Sequence, residues 1–233
     1  IAQAPKIFPI ESGTLSIEGS AVDLSRTKEI FIRPGSIGIT GSSLNLKYKR
    51  IFRIEPGIMT IGGSAVRLYF STYTLTALPG SLSIHGTGVG LNNNGKYVIS
   101  LEPGSITIAG SNLDLPLSGN RHLSIESGSM TITGTAVEVS RIRKLKAYSG
   151  ALSIHGTAVS FVRAGNRSLT IEPGALTIAG STVALKYINP ITIQPGDIHI
   201  DGSDLNLHKG RTLAISNGAL SVTGADLGLK YGR

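Results

Sequence analysis

Two glycines six residues apart recur ten times along this chain, and that repeat constrains the fold more than any other feature. The first of each pair is Gly13, Gly35, Gly57, Gly80, Gly104, Gly128, Gly150, Gly174, Gly196 and Gly218. The second is Gly19, Gly41, Gly63, Gly86, Gly110, Gly134, Gly156, Gly180, Gly202 and Gly224. Copies are spaced by 22 to 24 residues, and the length varies only in the segment before each copy's first strand. A period of this size marks an array of small supersecondary units that share one core. The ten copies occupy residues 1–233 as one repeat domain, with no space for a separate one.

Aligned on the first glycine, six columns are apolar. Two residues after it the column runs Leu15, Ile37, Met59 through to Leu220, and four after it Ile17 through Ile200 to Val222. Nine after it stand Val or Leu, and eleven after it Leu, except for Val139 and Phe161. Three and five before it lie pairs such as Ile171 with Leu169, the nearer column relaxing to Ala at Ala77 and Ala147. Within each pair one residue intervenes, which is the period of a strand with one buried face. No stretch sustains a helical spacing of apolar residues.

Each copy therefore reads as three short strands separated by turns, and the fold class is all-β. Three strands with two inward residues each predict one coil of a β-solenoid. The alternative is an antiparallel meander closing into a sandwich or barrel. Pro-Gly turns, as at Pro34-Gly35 and Pro173-Gly174, favour the solenoid. L-Pro-Gly prefers a type II turn, whose twist suits a corner better than a two-residue hairpin. The second glycines, such as Gly19, Gly41 and Gly180, mark the other turn. One copy cannot bury its apolar face alone, whereas stacked neighbours share a continuous core.

Composition removes several classes of function. Cysteine and tryptophan are absent and aromatic residues make up 5%. The chain thus has no disulfide, thiolate metal site or Cys nucleophile, and an aromatic base-stacking platform is not expected. No apolar run approaches the roughly 18 residues of a membrane helix, so no membrane insertion is expected. Three residues form a compact polar group: Asp197, His199 and Asp201, alternating along one strand face, with Asp204 beyond the next turn. Carboxylates flanking an imidazole can bind a metal or exchange protons. No other copy repeats the set, so it reads as a solvated strand face. We expect no catalytic residue, no metal site and no cofactor.

The net charge is +8, and most of the 22 Lys and Arg residues lie in the connectors between one copy's third strand and the next copy's first. Lys47, Lys49, Arg50, Arg141, Arg143, Lys144, Lys209, Arg211, Lys230 and Arg233 belong to this set. Of the 14 acids only Glu29 lies there, whereas Glu102, Glu126 and Glu172 stand at the Pro-Gly corner. Stacked copies turn the connectors into a basic edge. Such an edge can attract an anionic surface glycan; no specific nucleic-acid module is present. Ser or Thr follows the second glycine in nine copies, where the hydroxyl is expected to bond the turn backbone. A second Ser/Thr row, from Ser16 to Ser221, lies outward on the middle strand.

The unit Pro-Gly-x-Leu-x-Ile-x-Gly-(Ser/Thr)-x-(Val/Leu)-x-Leu resembles a tandem repeat of tailed-phage structural proteins, typical of phages of Alphaproteobacteria. Residues 174–187 and 218–233 carry the likeness best, ending Leu185-Lys186-Tyr187 and Leu229-Lys230-Tyr231-Gly232-Arg233. This chain departs from it in using Ser/Thr after the second glycine and more Ile. The resemblance implies a structural role in a virion or appendage, without catalysis. The reading is a non-enzymatic protein that assembles with itself into an extracellular or virion-associated fibre. The alternative is a phage-fibre or adhesin-type module that recognises an anionic surface polymer through its basic edge. Phe8 and Ile10 at one end, with Leu227 and Leu229 at the other, are the expected end-to-end contacts.

Overall fold

The computed structural model describes residues 7–10, 12–32, 34–70, 73–77, 80–93, 97–101, 104–116, 121–140, 144–162, 168–172, 174–188, 191–193, 196–209, 213–215 and 218–231. Among them every regular element is a strand. The strands pair in parallel, each with the equivalent strand of the preceding and following copies, and the chain is a β-solenoid of ten stacked coils. The antiparallel meander is thereby excluded. A single isolated bridge, Glu126 with Ser149, runs antiparallel.

Three parallel ladders run the length of the array. The first holds the strands before each corner glycine, from Ile7–Ile10 to Leu213–Ile215, and pairs Phe8 with Ile30 and finally Ile191 with Leu213. The second holds the strands after that glycine, from Gly13–Glu18 to Ala219–Thr223. Its registers join Leu15 to Ile37, Met59 to Leu82, Ile106 to Met130 and Leu176 to Ile198. The third follows the second glycine and stacks Val22 on Leu44, Val89 on Leu113 and Leu205 on Leu227. In the middle copies the second and third strands merge, as in Ala175–Ile188. Register shifts occur at Ser25/Thr27, Thr27/Glu29 and Lys186/Ile188, at the connector end of the third ladder, between copies of the shortest spacing.

Where side chains are described, the expected apolar columns are inward; the column five before the corner glycine lies outside the described side chains. Ile37, Ile39, Leu44, Leu46 and Ile54 are buried within one coil, and Leu176, Ile178, Val183 and Leu185 within another. Most intervening residues face out, as in Asp197–Asp201, which alternates exposed and buried along its five positions; Thr76 and Ser140 are buried exceptions. Burying an aliphatic side chain stabilises by about 1.5–3 kcal/mol, and the gain recurs in every coil. In a parallel stack each Ile or Leu also sits on its counterpart about 4.8 Å away.

The turns differ in mechanism from the expectation. Among the described glycines only Gly13 has positive φ, +102°, so the Pro-Gly corners with described geometry, including Pro34-Gly35, are not type II turns. Ser stands in place of Pro at three corners: Ser127 and Ser149 take the left-handed conformation, with φ of 58° and 50°, whereas at Ser12-Gly13 the glycine has the positive φ. The second glycine is required by contact. A Cβ on Gly86, Gly156 or Gly202 would lie 2.5 Å from the carbonyl oxygen of the second glycine one coil below. On Gly41, Gly63 or Gly110 it would lie closer still. The second glycines thus form a column of backbone packed on backbone.

Candidate interaction surfaces

A solenoid offers ligands its outward rows and its corners. The second corner carries the nine-copy hydroxyl row. Ser42, Thr87, Ser111, Thr157 and Ser203 are exposed there. The corner is closed by backbone bonds between coils instead, in which Ser43 N–H donates to Ser20 O and Ala65 N–H to Ser42 O at 3.0 and 2.9 Å. The expectation that these hydroxyls bond the turn is therefore corrected: parallel stacking satisfies the turn's amides first, and the side chains are left to solvent.

At the first corner, Gly57, Gly80, Gly104 and Gly128 with Ser105 and Ser129 line an open trough of about 640 Å³ in the middle of the array. Ile58 projects there with 54% exposure, the exposed large hydrophobic residue among the described residues. Beside it Arg53 Nη1 and Glu55 Oε1 form an ion pair at 3.1 Å. At such exposure a pair of this kind contributes little. Glu126 accepts from Ser124 Oγ at 3.0 Å.

Asp197, His199 and Asp201 do share the outward side of one strand, all three exposed, with Asp204 exposed beyond the turn. Asp197 Oδ1 accepts the Ala219 N–H of the next coil at 3.2 Å, so it helps to tie two coils together. Among the described residues no group of three His, Asp or Glu side chains is arranged to hold a metal ion.

Of the basic edge, Lys47 is exposed and its Nζ lies 5.8 Å from the centre of the Tyr69 ring, a cation–π contact one coil on. Arg141, Arg143, Arg211 and Arg233 lie outside the described residues, as does Pro173. For Lys49, Arg50, Lys144, Lys209 and Lys230 the structure describes the backbone only, and the same holds for Phe8, Ile10, Leu227 and Leu229. Backbone register places Leu229 opposite Leu207 and Phe8 opposite Ile30, at positions that the sequence repeat assigns to its apolar columns.

One surface escaped the reading of the sequence. The outward side of the second ladder carries no Asp, Glu, Lys or Arg from Ser36 to Ala179, seven coils in succession. Its central row is Thr60, Ser83, Thr107, Thr131, Ser153 and Thr177 in register. The signal was present in the sequence as three outward columns without charge.

Comparison with protein-family models, with curated proteins and with solved structures found no match to this chain.

Proposed function

We propose that this chain is a non-enzymatic structural protein whose coils stack end to end into an extracellular or virion-associated fibre. The observation that supports this is the stacking of equivalent apolar positions along all three ladders, with register shifts confined to the connector end of the third. Val183 stacks on Leu205 and Leu205 on Leu227, each apolar position on its counterpart as in the internal coils. Among the described residues, Ala219–Thr223 and Asp226–Tyr231 pair along one edge only, as do Gly13–Glu18 and Ile7–Ile10 at the other end. Unpaired strand edges of this kind template a further strand. The surface one end presents is what every internal coil already accepts. A contact of one end with the opposite end of another copy is heterologous, so it propagates into an open filament.

The test is growth with altered ends. Leu229→Lys or Phe8→Lys places a charge in an inward column of a terminal coil, where it must be desolvated against the next copy. In negative stain the unaltered chain is expected to form ordered filaments, while either variant should keep its β circular dichroism and yield short particles. Filaments undiminished in both variants would mean that growth does not pass through the ends.

A further inference from the structure

We propose that the uncharged face of the second ladder is a lateral interface for a second copy of this chain, with the two rods antiparallel. This goes beyond end-to-end growth and does not rest on it, because it uses a sheet face and not a strand edge.

Charge singles out this face. The third ladder carries Asp23, Arg67, Asp114 and Glu138, all exposed, and the first ladder carries Arg53, Glu55 and Glu126 on its outer side. The second ladder has seven coils with none, in a chain of net charge +8. Two such chains repel one another broadly, and the face without charge is where they can approach. An anionic partner would be drawn to the other surfaces. Ile58, 54% exposed, stands on this face among Ser, Thr, Ala and Gly. A second copy presents rows at the identical coil spacing, so side chains of the two sheets can interleave coil for coil.

The area fits as well. The seven uncharged coils, at about 4.8 Å each and five residues of about 3.3 Å, span on the order of 550 Å² per partner, and the facing end coils bring the ladder to about 800 Å², about the size of a standard specific interface.

The acids determine the direction. In a parallel pair, related by a two-fold axis along the rod, each coil faces itself with its columns reversed. Asp197 would then meet Asp201 of the second copy, twice. A two-fold axis along the strands, between the fifth and sixth coils, reverses the rods. Asp197 and Asp201 then face Ser36 and Thr40, and Glu18 faces Thr223. No carboxylate meets another. His85, in the fourth coil, faces His155, in the seventh. Within their own sheet these exposed imidazoles have Gly62 and Ala109, and Thr133 and Ala179, as register neighbours, so no charged group of the same ladder adjoins either.

The chain has no cysteine, which makes thiol crosslinking clean. Thr60 and Thr177 lie in the third and eighth coils, about 24 Å apart along the rod, and face each other across the antiparallel pair. Chains carrying Thr60→Cys and Thr177→Cys, mixed and treated with a thiol–thiol crosslinker spanning about 10 Å, should give the mixed dimer as the main product. End-to-end contacts leave these positions too far apart to react. Adding His85→Lys with His155→Lys to both chains should cut the yield at least tenfold; His85→Asp with His155→Lys should restore it. Self-crosslinking of Thr60→Cys alone, absence of any crosslinked dimer, or a yield indifferent to the His85 and His155 substitutions would each overturn the proposal.

Discussion

At the residue scale the repeat is explained by contacts more than by conformational preference. The second glycine recurs because the carbonyl oxygen of the coil below occupies the space of a Cβ. On Gly110 that Cβ would collide with Gly86 O and approach Leu113 Cδ2 at 3.0 Å. Gly19 differs, since its nearest neighbours would be Val22 Cγ2 at 3.4 Å and Ala21 O at 3.8 Å. Gly110→Ala is therefore expected to destabilise by about 1–3 kcal/mol, and Gly19→Ala to change stability by less than about 0.5 kcal/mol. Urea midpoints compare the two directly; equal losses would remove the carbonyl contact as the cause. The first corner yields a sharper contrast. Proline precedes the corner glycine in six copies, which makes Ser149→Pro look like a repair. Ser149 has φ of 50°, which proline cannot adopt, and its N–H donates to Glu172 O at 3.2 Å. Ser149→Pro should lower the melting temperature while Ser149→Gly holds or raises it. A rise with Pro would contradict the left-handed serine.

At the scale of the strand, alternation carries the fold. In Ala175–Ile188, Ile178 is 2% exposed and Thr177 faces out. A carboxylate at Ile178 is an unpaired ion between Ile154 and Ile200, its register neighbours, so Ile178→Asp should cost more than about 3 kcal/mol. Thr177→Asp exchanges one solvated side chain for another of lower strand preference and should cost about 1 kcal/mol or less. Chemical denaturation followed by circular dichroism separates them, and similar costs would place the alternation wrongly. Asp197, His199 and Asp201 belong to the same level. If they form only a solvated face with one bond to the next coil, replacing all three by Ser changes stability by about 1 kcal/mol or less. A metal-dependent rise in melting temperature in the unaltered chain, lost in that variant, would make the cluster a binding site instead.

For the whole molecule, much of the architecture could be read before any coordinates. Ten copies, three strands each and six inward columns follow from glycine spacing and period-2 apolar pairs, because a repeat must bury the same positions in every copy. The turns were less legible. Pro34-Gly35 names a corner, but its dihedral angles depend on how the next coil packs, and packing gave Gly35 an ordinary φ. Hydroxyl partners after Gly41 were equally hidden, since whether Ser42 or the backbone satisfies the turn is decided by the neighbouring coil. The uncharged face was visible only once the outward rows were known to stack. Function was the least legible, because the proposed role, a fibre subunit, needs no convergent polar site, only edges and faces that fit other copies. The central claim is that this register continues from one chain into the next. Cryo-electron microscopy of filaments grown from the purified chain tests it most directly. Ten coils at about 4.8 Å predict strands across the fibre axis and a subunit repeat of about 48 Å along it. Dispersed single rods at high concentration, or a subunit repeat unrelated to ten coils, would contradict it.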